Sequence, residues 1–271
     1  MIEKCRVCGS KDLVEWMRDG RLRDCVYYRC PACGLWNYDM DCGLDQTQYA
    51  ATYRPPTDES WAHNVENRQA WQALARYLDE PGSLLDIGCG NGSFMLNART
   101  AGWSVAGLEL SGDLAAAVRE ELGVEITQGD FLDPAGSDSQ RYDVVVLRHV
   151  LEHLPDPHLA MQRIRERLAP GGLAFLEFPN TGSVSYAIKR ILKNLGLRNR
   201  KYSTDWRPGH CNEYCRGAFQ ALLDATGFEL VAWETYSHSP MGNALYRYVP
   251  VGSKARALVR RADNEAVQKA A

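Results

Sequence analysis

Leu84-Leu85-Asp86-Ile87-Gly88-Cys89-Gly90-Asn91-Gly92 is an apolar run that opens into a loop with glycine at alternate positions. The run reads as a buried strand, and the residues from Ser93 onward resume apolar character at helical spacing. Glycines at such a strand-to-helix turn allow a tight bend and let a ligand approach the backbone closely. The dinucleotide fingerprint Gly-x-Gly-x-x-Gly places its third glycine one residue later than Gly92, and here Asp86 precedes the first glycine. That departure argues against a nicotinamide cofactor.

Outward from this loop, short apolar runs alternate with helical segments. Strands are expected at Leu84–Ile87, Ser104–Leu108, Val124–Gln128, Tyr142–Leu147 and Leu173–Phe178, and helices near Ser93–Ala101, Asp113–Leu122 and Pro157–Leu168. This alternation implies a parallel sheet covered on both faces. Glu109 lies 23 residues after Asp86, at the second strand tip beside Leu110, where a carboxylate accepts hydrogen bonds from ribose hydroxyls. Gly129-Asp130-Phe131 follows the third strand and offers an acceptor for an exocyclic amine and an aromatic face for a base. Together they place a nucleoside crevice at the carboxyl ends of strands one to three.

Before the sheet, apolar residues from Asn64 to Leu78 recur at helical spacing. After Pro179 come a basic amphipathic stretch (Val184 to Lys201), a polar loop around Pro208, a helix from Arg216 to Thr226 and strands at Phe228–Tyr236 and Ala244–Val249. The tail from Lys254 is helix-prone and expected to be helical or frayed.

The chain has 271 residues, 45% of them hydrophobic and 24% charged, which excludes disorder and collagen-like classes. No apolar run approaches the roughly 20 residues of a membrane-spanning helix, and the N-terminus lacks a basic-then-apolar leader, so a cytoplasmic location is expected. The net charge of −3 is unevenly spread, with only the last third basic. In that setting nine cysteines read as ligands or core fillers rather than disulfides. Cys5-x2-Cys8 and Cys30-x2-Cys33 are two knuckles followed by Gly9 and Gly34, the pattern of a four-cysteine structural zinc site, Zn2+ being closed to catalysis by four thiolates.

The Asp-x-Gly-x-Gly-x-Gly loop, Glu109, Gly129-Asp130, Tyr142-Asp143-Val144-Val145 and Pro170-Gly171-Gly172 jointly resemble the class I S-adenosylmethionine-dependent methyltransferases. The resemblance implies an α/β fold, a seven-stranded, mostly parallel Rossmann-like sheet with its last strand antiparallel, carrying a small N-terminal zinc-ribbon module. It divides the chain into the ribbon (1–45), a linker and capping helix (46–80), the methyltransferase domain (81–250) with a lid or substrate segment (180–215), and the tail (251–271). It also implies that S-adenosylmethionine binds at Asp86, Gly88, Cys89, Gly90, Gly92, Glu109, Leu110, Asp130, Phe131 and Arg148, with S-adenosylhomocysteine as product.

His149, at the tip of the fourth strand, is the first candidate base, because an imidazole titrating near neutrality suits proton removal. His210, Glu213 and Tyr214 form the second candidate cluster. His149-x2-Glu152-His153 matches an inverted zinc-protease string, but an apolar strand precedes it and Pro155 and Pro157 follow. Glu152 and His153 read instead as a pair fixing the loop, with a divalent cation held by them as the alternative. The ribbon and compact core resemble enzymes of sugar, glycan and natural-product pathways. The expected acceptor is a sugar, glycan or small metabolite, with phosphate as one feature the basic stretch could attract, and O- or N-methylation is favoured over C-methylation. The competing reading is an RNA base methyltransferase using the ribbon; the acidic ribbon and the missing Asn-Pro-Pro-Tyr type of motif count against nucleic acid.

Overall fold

The structure, a computed structural model, describes residues 2–46, 65–133, 140–194, 203, 206–237 and 252–262, side chains excepted at 189, 190, 193 and 194. Contacts divide the chain into two compact units. One, the ribbon unit, comprises Met1–Gln46, Leu151–His158 and Glu177–Ala257; the other, the loop unit, comprises Thr47–Val150, Leu159–Leu176 and Leu258–Ala271. The expected strand Ala244–Val249 lies outside the described residues, as do Arg198, Arg200 and Lys201.

In the loop unit the elements follow the expected alternation. They are α1 (Val65–Ala75), β4 (Ser83–Ile87), α2 (Ser93–Thr100), β5 (Ser104–Glu109), α3 (Gly112–Leu122), β6 (Glu125–Gln128), β7 (Tyr142–Arg148) and α4 (Pro157–Arg167). β4 pairs in parallel with β5 on one side and β7 on the other, and β5 pairs in parallel with β6. Val144–Leu147 are at most 1% exposed, as expected for a central parallel strand covered on both faces. α3 starts on Ser111, whose side chain accepts from Leu114 N–H, and stops at left-handed Gly123. The α1 stripe packs as expected, Trp71 meeting Phe94 and Trp103 edge-on at 6.1 and 6.2 Å.

The remaining elements are β1 (Val14–Asp19), β2 (Cys25–Arg29), β3 (Trp36–Tyr38), β8 (Leu168–Pro179), α5 (Val184–Asn194), β9 (Asn212–Glu213), α6 (Arg216–Thr226), β10 (Phe228–Tyr236) and β11 (Lys254–Arg261). The larger sheet has seven strands in the order β10-β11-β8-β7-β4-β5-β6, and a four-stranded sheet runs β1-β2-β3-β9. The strand order reverses at β4, which makes its carboxyl end the topological switch point where ligands of open α/β sheets bind.

Two expectations are corrected. The strand expected from Leu173 begins at Leu168, directly after α4 ends at Arg167, so Pro170-Gly171-Gly172 lies inside β8 and makes no helix-to-strand turn. The tail is a strand over Lys254–Arg261, not helical or frayed. Its helix-forming residues are overridden by burial, with Ala255, Ala257, Leu258 and Val259 at most 2% exposed, and by an ion pair at 2.5 Å between Arg256 Nε and the fully buried Glu177. Tertiary pairing outweighs intrinsic propensities of a few tenths of a kcal/mol per residue.

The ribbon knuckles fold alike. Gly9 N–H donates to Cys5 O and Gly34 N–H to Cys30 O, while Cys5 and Cys30 N–H donate to Ser10 O and Leu35 O. β3 then pairs antiparallel with β9, setting Trp36 opposite Glu213. Arg6, inside the first knuckle, donates to the carbonyls of Cys211 (2.8 Å) and Tyr38 (2.7 Å), and its own N–H bonds the Asn37 side chain. The first ribbon turn is thereby fastened to the segment that carries His210 and Glu213.

Two outcomes follow for stability. Arg256→Met removes the guanidinium paired with the buried Glu177 carboxylate and should cost about 3–5 kcal/mol in chemical denaturation, most of it regained in the Glu177→Gln/Arg256→Met double variant. Arg6→Met strips two backbone carbonyls of a charged donor and should cost roughly 3 kcal/mol; an unchanged midpoint would show that these bonds do not hold the ribbon.

Candidate active site

The loop after β4 is built from its backbone. Gly88, Gly90 and Gly92 have φ of 68°, 55° and 75°, and a Cβ on Gly88 would sit 2.5 Å from Val150 Cγ2. Gly88 and Cys89 N–H both donate to Leu108 O at the end of β5 (2.7 and 3.2 Å). Glu109, 9% exposed, accepts from Gly90 N–H and Ser111 N–H, each at 2.9 Å. A carboxylate has about four acceptor positions, so two are spent on the loops and two remain for hydroxyls. Beside it Leu110 is exposed, an apolar surface at the strand tip. Asp130 is exposed and holds Leu132 N–H, whereas Phe131 is buried. Asp86 is buried within β4. Burial first, then the charges of Asp86 and Glu109, push the Cys89 thiol well up, so it stays protonated.

Arg148 ends β7 with its guanidinium 5.0 Å above the Phe94 ring and bonded to the Asn67 side chain. His149 has φ of 57°, a left-handed conformation that costs a non-glycine residue energy and gathers at functional sites.

In the ribbon unit a second polar group assembles from Leu151–His158 and the segment before β9. His210 Nδ1 lies 2.9 Å from Glu213 Oε1. His153 Nδ1 lies 2.9 Å from Gly209 O; a carbonyl only accepts, so Nδ1 carries the proton and Nε2 is left as acceptor in the neutral ring. The two imidazoles are nearly perpendicular with centroids 4.6 Å apart, and ligand atoms of Glu152, His153 and His210 lie within 4.8 Å of one another. The segments are joined at two backbone carbonyls, Cys211 N–H donating to Glu152 O at 2.9 Å and the Asn212 side chain, through Nδ2, to Leu154 O at 2.8 Å.

The environments push the two histidines apart. Burial, aided by neighbouring His210, lowers His153 and keeps it neutral. At His210 burial acts in the same sense, but the Glu213 carboxylate, through charge and hydrogen bond, and Glu152 outweigh it and raise the imidazole to about 9. Glu213 Oε2 and the hydroxyl of fully buried Tyr214 have no hydrogen-bond partner among the described residues. Tyr214 packs against Phe178 at 5.3 Å, and burial pushes its phenol well up.

The four ribbon cysteines converge. Their Sγ atoms all lie within 4.8 Å of one another, with Cys5–Cys33 at 3.6 Å and Cys8–Cys30 at 3.4 Å. A tetrahedron with Zn–S bonds of about 2.3 Å has edges of about 3.8 Å, so the donor set fits such an ion. Cys211 and Cys215 join no donor group among the described residues; their thiols bond the carbonyls of Glu152 and Cys33. Of the residues singled out in the sequence, Cys5, Cys8, Cys30 and Cys33 come together, as do His210 and Glu213, and the glycine loop meets Glu109. The sequence reads His153 with Glu152 as a pair fixing the loop, with a divalent cation as the alternative, and nothing local signals His210, 57 positions away, as a third member of the group.

The profile of a family described as a methyltransferase domain matches residues 60–232. A ubiquinone biosynthesis O-methyltransferase of Leptothrix cholodnii is 28% identical over 157 residues, 54% of this chain and 67% of that protein. Further proteins of that name are matched over 62% and 65% of their own length. Among solved structures, the methyltransferase CcbJ of Streptomyces caelestis superposes with a TM-score of 0.56 at 18% identity, covering 81% of this chain and all of that one. The glycopeptide N-methyltransferase MtfA complexed with S-adenosylmethionine gives 0.51 at 16% identity, covering 72% and 93%. At these identities the structures speak for the fold alone, but the profile spans more than half of the sequence, and the chain belongs to the methyltransferase domain family.

Proposed function

We propose that the protein transfers a methyl group from S-adenosylmethionine to an oxygen or nitrogen of a small-molecule acceptor, a sugar, glycan or natural-product intermediate. The relatives named above act, by their names, in ubiquinone biosynthesis and on glycopeptides, which supports a small acceptor and leaves its identity to experiment. The observation that carries the reading is the Glu109 carboxylate, which locks the glycine loop at the switch point and keeps acceptor positions free for ribose hydroxyls. Exposed Leu110 and Asp130 complete a surface for the adenine, with Asp86, Gly88, Cys89, Gly90 and Gly92 shaping the backbone side. Phe131 and Arg148 contribute from a buried ring and a guanidinium held by Asn67.

When bound, the sulfonium supplies an electrophilic methyl group; the chain's own residues orient the acceptor and remove its proton. His210 backed by Glu213 is the base we assign, because the carboxylate stabilises the imidazolium formed when the acceptor proton arrives at Nε2. His149, held in its strained conformation at the end of β7, is the second candidate. Tyr214 is wholly enclosed and packs against Phe178, which gives it a structural part. In this reading Cys5, Cys8, Cys30 and Cys33 hold a structural Zn2+ that keeps β3 and β9 in register.

Glu109→Ala should weaken S-adenosylhomocysteine binding at least about tenfold in calorimetry, because both loops lose their anchor; unchanged affinity would remove the crevice assignment. His210→Gln should preserve that affinity and lower kcat by about 100-fold or more, and His149→Ala run beside it compares the two bases. The neutral fraction of His210 grows as pH rises through about 9, so kcat/KM should climb toward that pH. Glu213→Gln removes the group that raises His210, and the ascending limb should move to lower pH. A limb that stays in place would show that another group takes the proton.

A further inference from the structure

Glu152, His153 and His210 each bring a ligand atom to within 4.8 Å of the other two. The sequence offers Glu152 and His153 for a cation, and the structure adds His210 from the segment before β9. Both rings are oriented through the same nitrogen. His153 Nδ1 lies 2.9 Å from Gly209 O, and His210 Nδ1 lies 2.9 Å from Glu213 Oε1, so an ion would be met through Nε2 of each ring. A histidine that ligates a metal nearly always gives its other N–H to a backbone carbonyl or a carboxylate, which fixes the tautomer and aims the ring. One ring here has the first kind of partner and the other has the second.

The partners of the rings are themselves held. Gln46 Nε2 donates to His153 O at 2.7 Å and to Gly209 O at 3.2 Å, so the carbonyl that orients His153 is tied to the end of the ribbon segment. Glu152 O accepts from Cys211 N–H at 2.9 Å, and the residue is 1% exposed. Its carboxylate adds an anionic oxygen to two imidazole nitrogens. Two such nitrogens and one such oxygen are the donors of an open zinc site, whereas Mg2+ and Ca2+ take oxygen ligands. The four ribbon thiolates are donors of another kind, so ions in the two places can be told apart. His210 Nε2 is also the atom at which the acceptor proton arrives in the function proposed above, and an ion seated there takes the lone pair that the proton needs.

We propose that Glu152, His153 and His210 form a metal site apart from the four cysteines, for Zn2+ or a neighbouring transition-metal dication, and that filling it silences methyl transfer by occupying His210 Nε2. The silencing rests on His210 being the base; the site itself does not. The test uses the full chain loaded with the one equivalent of Zn2+ that the four thiolates take. Calorimetry should then show a second equivalent bound. His153→Asn keeps a donor for Gly209 O and removes Nε2, and it should weaken that second binding by at least about 100-fold, with S-adenosylhomocysteine affinity as the check that the variant is folded. Co2+ given to the wild type in place of the second Zn2+ should produce ligand-field absorption without a sulfur-to-metal charge-transfer band, a readout that needs no variant. A single equivalent in all, a thiolate charge-transfer band, or equal binding by the folded variant would each overturn the site. Methyl transfer from labelled S-adenosylmethionine into a small-metabolite extract should cease when the site is filled and should not respond to the same Zn2+ in His153→Asn. Transfer that continues in the wild type with two equivalents bound would overturn the silencing, and His210 as the base with it, while the calorimetry decides the site separately.

Discussion

One carboxylate between two loops carries the loop unit. Glu109 receives Gly90 N–H and Ser111 N–H, so the turn after β4 and the turn after β5 share a single charged acceptor. Hydrogen bonds to an ionised acceptor are roughly twice as strong as neutral ones, and here they replace contacts that glycines cannot supply. A loop with glycine at alternate positions has high conformational entropy when free. Its usefulness as a cradle depends on something outside the loop fixing it, and parallel pairing of β4 with β5 brings the carboxylate to the required place. Leu108 O does the same for Gly88 and Cys89, which makes the end of β5 the template on which the glycine loop is laid.

The ribbon unit solves a different problem, that of holding a half-buried charged pair. Glu213 sits on a two-residue strand, too short to be stable alone. It is held because β3 pairs with it and because Arg6 and Asn37 tie β3, the first knuckle and residues 211–212 into one hydrogen-bonded group. Residues 2–46 are therefore a structural continuation of the segment bearing His210, and these bonds add to what a stretch without a large core of its own can supply. The split between His153, kept neutral, and His210, kept protonated until about pH 9, arises from that arrangement. Both are half-buried, but only His210 has a carboxylate on its ring nitrogen, while His153 has a neutral carbonyl.

What could be read in advance was whatever rests on local pattern. The strands and helices from Leu84 to Arg167 follow from the alternation of apolar runs, the knuckles from the Cys-x2-Cys spacing, and Glu109 from its place at a strand tip. Contacts between distant segments left no such trace. The β11 strand depends on Arg256 finding Glu177, and a reading of Lys254 onward by propensity makes it a helix. His153 meets His210 only because Cys211 N–H and Asn212 reach the carbonyls of Glu152 and Leu154, bonds made by a backbone whose course is not written in either segment. Arg6 has the same character, an unremarkable residue between two cysteines until the carbonyls of Tyr38 and Cys211 are brought to it.

The thiols narrow the chemistry further. Cys5, Cys8, Cys30 and Cys33 face one another, and the thiols of Cys25, Cys89 and Cys211 are all raised, chiefly by burial, the last to about 12. A cysteine nucleophile requires a thiolate at neutral pH, which an electropositive, accessible setting supplies and these sites do not. No covalent relay through sulfur is therefore supported by Cys89, although it lies in the glycine loop itself. Direct displacement has no need of one, since it asks for an acceptor held in line and a place for one proton to go. Of the two paired imidazoles, His153 is kept neutral while His210 holds its proton until about pH 9, because the Glu213 carboxylate stabilises its charged form.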